Sequence, residues 1–179
     1  MLGLVVAAVA TFALVQLRAQ VDGPGASASA GNGIARGQPA PAIVGTTLDG
    51  AAFDLAGLRG RPVLLNFWGP SCVPCRDEFP LFKAKLAEHA RSGLAIVGVL
   101  MDDPPAPARD FIAQYAATWP TMDDPTGAIK SAYRVAARPQ TYFIDRDGIL
   151  RTIQVGQLTE TEFEREFALI SGPAGSTSP

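Results

Sequence analysis

The sequence predicts an α/β domain: a central mixed sheet flanked by helices, with an N-terminal hairpin extension. Three observations carry this reading. Two short, nearly continuous apolar runs, at residues 63–68 (VLLNFW) and 94–100 (LAIVGVL), suit strands buried on both faces. Helical segments alternate with these runs. A later pair of strand-like runs brackets Arg146-Asp147-Gly148, a turn sequence.

The elements follow in order. Residues 43–46 and 51–53 read as a hairpin around Leu48-Asp49-Gly50. The run 63–68 is the first central strand, and a helix occupies residues 72–90. Within that helix, Pro74 falls in the first turn, where its missing N–H costs no helical bond. Pro80 comes later and is expected to kink the helix. The second central strand is 94–100, followed by a proline-rich loop at 102–107 and a helix at 106–117. A short helix spans 127–133, and Asp123 and Asp124 before it read as turn and cap residues. Residues 141–145 and 149–155 form the second hairpin. The closing helix, 159–170, is amphipathic, with Phe163, Phe167 and Ile170 on one face.

The ends of the chain differ in composition. Residues 1–17 are apolar except for Thr11 and Gln16, and Arg18 is the first charge. As a helix this run would be roughly 25 Å long, just short of a bilayer core. It reads as a signal-peptide core or a signal anchor over residues 1–21. The small residues of Ala26-Ser27-Ala28 resemble a cleavage site but lie some way beyond the apolar run. Residues 22–37, rich in Gly, Ala and Ser, read as a flexible linker of roughly 20 Å reach. The folded domain is expected over 38–171, with a disordered tail at 172–179.

Composition narrows the function. The chain has 179 residues, 47% of them hydrophobic, and a formal net charge of -2. It lacks the basic balance that a general nucleic-acid binder needs. Two cysteines and one histidine cannot complete a four-cysteine zinc site, and they make a Ser-His-Asp hydrolase a poor fit. No cofactor and no metal is called for. Both cysteines lie in Asn66-Phe67-Trp68-Gly69-Pro70-Ser71-Cys72-Val73-Pro74-Cys75. A Cys-x-x-Cys turn that leaves a buried strand and opens a helix places its first thiol at the positive end of the helix dipole. Cys72 is therefore expected to have a lowered pKa and to be the nucleophile, with Ser71 as N-cap and Cys75 close enough to form a disulfide. A passive disulfide and half of a metal site are the competing readings.

The stretch FWGPSCVPCRDEFP resembles the FW-x-x-WC-x-PC-x-x-E-x-P motif of TlpA/ResA-like thioredoxin-fold proteins. These are membrane-tethered extracytoplasmic thiol–disulfide oxidoreductases, with the cytochrome c maturation thioredoxins as a branch. The segment Arg138-Pro139-Gln140-Thr141-Tyr142-Phe143-Ile144-Asp145 is similar to the family's x-P-x-T-x-F-I-D. The resemblance departs at Ser71, where the family has a tryptophan that would cover the first cysteine. It implies a thioredoxin fold for residues 38–171 and matches Pro139 to the cis-proline that faces the disulfide. Glu78, three residues after Cys75 and on the same helical face, matches an acid buried behind the cysteines. Burial would raise its pKa and let it relay the proton of Cys75; the alternative is a solvated acid like Asp77.

Trp68, Pro74 and Arg138 are the expected substrate-binding residues, with Trp68 also read as packing that flanks the site. Arg138 has three open readings. It points at the cysteines and favours the thiolate, it points outward and selects acidic partners, or it is an ordinary solvated arginine. His89 is read as a surface residue.

The implied activity is reduction of disulfides in protein substrates, apocytochrome c among them, by a domain outside the cell membrane and recharged by a membrane thiol donor. The alternative is a copper-site assembly or metal-delivery chaperone of the same fold. That role usually uses a wider cysteine gap and a distal histidine, and none follows His89. A peroxidase would need Thr or Ser three residues before the reactive cysteine, where Gly69 stands.

Overall fold

The computed structural model describes residues 34–175. The N-terminal apolar run, the linker up to residue 33 and the last four residues lie outside the described part. No helix of the described residues is long and apolar enough to cross a membrane.

Seven strands and four α-helices make up the described chain. Strands β1 (Val44–Thr46) and β2 (Ala52–Asp54) form the N-terminal hairpin, paired antiparallel. A 3-10 turn, Leu55–Leu58, follows. Then come β3 (Val63–Trp68), α1 (Val73–Glu88), β4 (Ala95–Leu100), α2 (Pro105–Tyr115) and β5 (Thr121–Asp123). Helix α3 (Ala128–Ala132), the antiparallel pair β6 (Gln140–Ile144) and β7 (Leu150–Val155), and α4 (Glu160–Ala168) complete the domain.

The sheet order is β5-β4-β3-β6-β7. Strands β3, β4 and β5 run parallel, while β6 and β7 join antiparallel. The apolar runs become the two central strands because every residue of β3 and β4 is buried. Alternation then divides their side chains between two cores. Leu64, Trp68, Ile96 and Leu100 pack with Phe79, Phe82, Phe111, Phe163 and Phe167 from α1, α2 and α4. Val63, Leu65, Phe67, Val97 and Val99 pack on the opposite face with Ile43, Tyr133 and Tyr142. The fold is the expected α/β mixed sheet flanked by helices.

Several details differ from the sequence expectation. Strand β5 is an extra parallel edge strand where a turn was expected. It is short, pairs with β4, and is covered by the hairpin region: Leu48 N–H donates to Thr121 O at 2.8 Å. Asp123 ends this strand, whereas Asp124 does cap α3, accepting from the N–H groups of Ile129 (3.1 Å) and Lys130 (2.7 Å). Ordered structure also reaches past both expected boundaries. Gly37 N–H donates to Leu150 O at 2.7 Å, and Ile34 packs on the second core. At the other end Arg146 Nε donates to Gly172 O at 3.0 Å, so the chain past 171 docks on the turn before β7. His89 is half-buried rather than superficial. Its ring lies 4.1 Å from that of Phe167, with Nε2 3.1 Å from Glu164 Oε1.

Candidate active site

Strand β3 delivers the chain to the carboxyl end of the sheet, and the turn Gly69-Pro70-Ser71 leads into α1. Cys72 is the N-cap: its Sγ accepts from Cys75 N–H at 3.3 Å. This corrects the assignment of Ser71 as N-cap. Sulfur takes the helix-end donor, and the serine hydroxyl is engaged elsewhere. Cys72 and Cys75 form a disulfide, S–S 2.05 Å. Cys72 is 8% exposed and Cys75 is fully buried, so what solvent access the pair has is through the first cysteine. Val73 beside it is strongly exposed, an apolar side chain at the rim. Pro74 is half-buried in the first helical turn.

Glu78 is fully buried. Its Oε1 accepts from Leu158 N–H at 2.6 Å, and its Oε2 lies 3.4 Å from Asn66 Nδ2, which also donates to Thr141 Oγ1 at 2.9 Å. The carboxyl therefore joins α1 to β3 and to the segment before α4. Burial pushes its pKa up to about 8, against the opposing effect of the Leu158 and Asn66 hydrogen bonds. A solvated helix acid is excluded by this position, whereas Asp77 is exposed.

Trp68 is fully buried, with its ring 4.6 Å from Phe79 and 5.5 Å from Phe111. It packs beneath the site and offers no surface to a substrate, which corrects its assignment as a substrate-binding residue. The cause is strand alternation: Trp68 points into the same core as Leu64.

The Arg138-Pro139 peptide is cis, and Pro139 is buried. Arg138 is turned in onto the turn before Cys72, neither outward nor solvated. Its Nη1 donates to Met101 O and, at 2.9 Å, to Asp103 Oδ2; its Nη2 donates to Ser71 Oγ at 2.8 Å. Asp103 in turn accepts from Ser71 N–H (3.0 Å) and Ser71 Oγ (2.7 Å). The segment bearing Pro139 is thus tied to the residue just before Cys72.

Asp103 and Leu158 are the partners that sequence reasoning missed. Asp103 had a usable signal, as an acid just past the carboxyl end of a central strand, where sites in open α/β sheets gather. Leu158 had none, because its contribution is a backbone N–H.

Comparison with known proteins agrees with this geometry. The AhpC/TSA family matches residues 36–153. A thiol-disulfide oxidoreductase ResA from Geobacillus kaustophilus is 32% identical over 137 residues, 76% of this chain and 79% of that protein. The thioredoxin-like protein YneN of Bacillus subtilis is 36% identical over 140 residues, covering 76% and 81%. Among solved structures, a putative thiol:disulfide interchange protein DsbE from Chlorobium tepidum aligns with TM-score 0.72 at 28% identity, over 78% of this chain and 99% of that one. A secreted disulfide oxidoreductase of Mycobacterium tuberculosis aligns with TM-score 0.63 at 28% identity, over 70% and 94%. With a buried carboxyl behind a cysteine pair at a helix tip and these relatives, the chain belongs to the AhpC/TSA family and is a thioredoxin-fold thiol–disulfide oxidoreductase of the ResA type.

Proposed function

We propose that this oxidoreductase reduces disulfides in extracytoplasmic proteins, with Cys72 as the attacking thiol and Cys75 as the resolving one. The observation that carries the reading is the asymmetry of the pair: Cys72 keeps solvent access at the tip of α1, while Cys75 is sealed one turn in. The Cys72 thiolate attacks one sulfur of the substrate disulfide, and that bond breaks to release a substrate thiolate. The Cys75 thiolate then attacks Cys72 Sγ. The mixed disulfide breaks, the second substrate sulfur leaves, and two electrons have passed from the protein to the substrate. The ionised form of Glu78, populated as pH approaches 8, takes the proton of Cys75; a carboxyl with a pKa near 8 is matched to a thiol of ordinary acidity. The disulfide-bonded form awaits a donor thiol, which we assign to a membrane reductant. Pro139, Pro74 and the rim around Val73 receive the substrate as an extended segment.

The extracytoplasmic assignment rests on the apolar residues 1–17 and on the secreted relative. The family resemblance adds apocytochrome c as a substrate. The copper-delivery alternative gains no support, because His89 is committed to Phe167 and Glu164. The peroxidase alternative gains none either, since position 69 offers no hydroxyl.

Iodoacetamide at neutral pH should alkylate Cys72 of the reduced protein at least tenfold faster than Cys75, read by peptide mass spectrometry; equal or reversed rates would refute the division of roles. Trapping in cells with Cys75→Ala should recover substrate proteins disulfide-linked through Cys72. Recovery of cytosolic proteins alone would refute the location.

A further inference from the structure

We propose that Asp103 and Arg138 form a charge-balanced latch over the turn that carries Cys72. In this arrangement Asp103 is a positioning residue that limits how strongly the Arg138 charge stabilises the Cys72 thiolate.

Three segments distant in sequence meet at this point: the turn before α1, the loop after β4, and the residue preceding Pro139. Asp103 Oδ2 accepts from both Ser71 N–H and Arg138 Nη1. The Ser71 hydroxyl donates to Asp103 and accepts from Arg138 Nη2. The pair is largely out of water, with side-chain exposures of 9% for Asp103 and 21% for Arg138. Removing one partner therefore leaves a poorly solvated charge next to the reactive turn.

Two backbone features make room for the latch. Gly69 is one: a β-carbon built there would land on Asp103 Oδ2 and Arg138 Nη1. The space of a side chain at position 69 is thus filled by the ion pair. Asp102 is the other, with φ 59, a left-handed conformation that aspartate tolerates better than most residues. This bend lies two residues past the end of β4, just before Asp103, which bonds Ser71.

The consequence is electrostatic. The latch is hydrogen-bonded to Ser71, the residue before Cys72, so a net charge on it bears on the turn that carries the thiolate. A bare guanidinium favours the thiolate, and a bare carboxylate opposes it. Held together they nearly cancel, leaving the end of α1 as the main stabilising influence. The other charges around the turn are accounted for separately. Asp102 is paired with Lys130 at 2.9 Å, Arg76 and Asp77 are exposed near the start of α1, and Glu78 is buried in that helix behind Cys75.

The test is a charge cycle in the full-length chain carrying Cys75→Ala, so that Cys72 is the only thiol and its pKa is read from thiolate absorbance. That background makes the result independent of which cysteine attacks substrate. Asp103→Asn should lower the Cys72 pKa by about half a unit or more, and Arg138→Gln should raise it by a similar amount. The double variant should return it to about the parent value. With both cysteines present, Asp103→Asn should shift the equilibrium with glutathione about threefold toward the reduced protein, because a more stable thiolate stabilises the dithiol form. Ser71→Ala removes the hydroxyl without changing charge and should leave the pKa near the parent value. Shifts of the same sign in the two single variants, or no shift in either, would overturn the proposal. So would a Ser71→Ala shift as large as theirs, which would assign the effect to loop geometry. If Asp103→Asn does not fold, Arg138→Lys against Arg138→Gln decides. The lysine, keeping the charge, should stay near the parent pKa while the glutamine rises; equal shifts would refute the latch.

Discussion

Glu78 carries a pH dependence that can be measured in the oxidised protein, where no thiol titrates. Its folded-state pKa is about 8, against an ordinary carboxyl value near 4.5, and the cause is burial. Between those values the unfolded chain has released the proton and the folded chain has not, so the folded state binds more protons. Stability from this group is therefore complete below pH 4.5, falls as pH rises, and is lost once pH passes 8. The loss is on the order of a few kcal/mol. Glu78→Gln should flatten that slope in urea titrations across the window, and it should slow insulin reduction. An unchanged slope would mean that Glu78 is ionised in the folded protein throughout. A second residue-scale constraint is Gly98 in β4. A β-carbon there would lie 2.8 Å from Thr121 Oγ1 and 2.9 Å from Trp68 Nε1, two buried atoms with no hydrogen-bond partner among the described residues. Gly98→Ala should cost about 1–3 kcal/mol through overpacking, read as a lower urea midpoint at unchanged slope.

Helix α4 illustrates how an element is held at both its end and its flank. Thr159 and Glu162 form a capping box: Glu162 N–H donates to Thr159 Oγ1 at 3.3 Å, and Glu162 Oε2 accepts from Thr159 N–H at 2.9 Å. Thr159→Ala should cost about 1 kcal/mol in urea unfolding. Its flank meets α1 through Lys85, a side chain only 3% exposed whose ammonium lies 2.8 Å from Glu88 and Glu160 and 2.6 Å from Glu164. The three carboxylates hold the Lys85 pKa above its ordinary value. Glu88, His89 and Glu164 converge closely enough to suggest metal ligands, but the lysine ammonium already occupies that carboxylate cluster. Lys85→Met should destabilise by about 1–2 kcal/mol, because it removes the shared counter-charge of three carboxylates that remain partly solvated. A loss under 1 kcal/mol in chemical unfolding would show that the carboxylates simply turn to solvent.

At the scale of the domain, the exposed edge of β7 is closed by the chain's own N-terminal stretch. Gly37 N–H donates to Leu150 O at 2.7 Å, Leu150 N–H to Gln38 O at 2.9 Å, and Ala40 N–H to Gly148 O at 3.0 Å. This pairing covers part of an edge that could otherwise accept a strand from another molecule. Ile34 adds apolar contact to the second core. A chain begun at Pro39 should therefore be about 1–3 kcal/mol less stable than one begun at Gly33, from lost hydrogen bonds and apolar burial. Equal urea midpoints would place these contacts outside the cooperative unit.

The order of strands and helices was legible from local pattern, because burial on both faces demands uninterrupted apolar runs such as VLLNFW, and a Cys-x-x-Cys at a strand-to-helix junction has few uses. The cysteine pair could be read the same way, and spacing put Glu78 on the same helical face, but its burial was implied only by the family resemblance. What lay beyond local pattern was decided by contacts between segments far apart in the chain. Strand β5 pairs with β4 and is covered by a hairpin some seventy residues earlier. Trp68 belongs to the core because alternation in β3 meets Phe79 and Phe111. Arg138 is neutralised by Asp103, thirty-five residues away, and Ser71 is drawn from capping α1 into that pair. Charge and hydrogen-bonding capacity can be read from the chain, but which partner satisfies them is settled only when folding brings the segments together and excludes water.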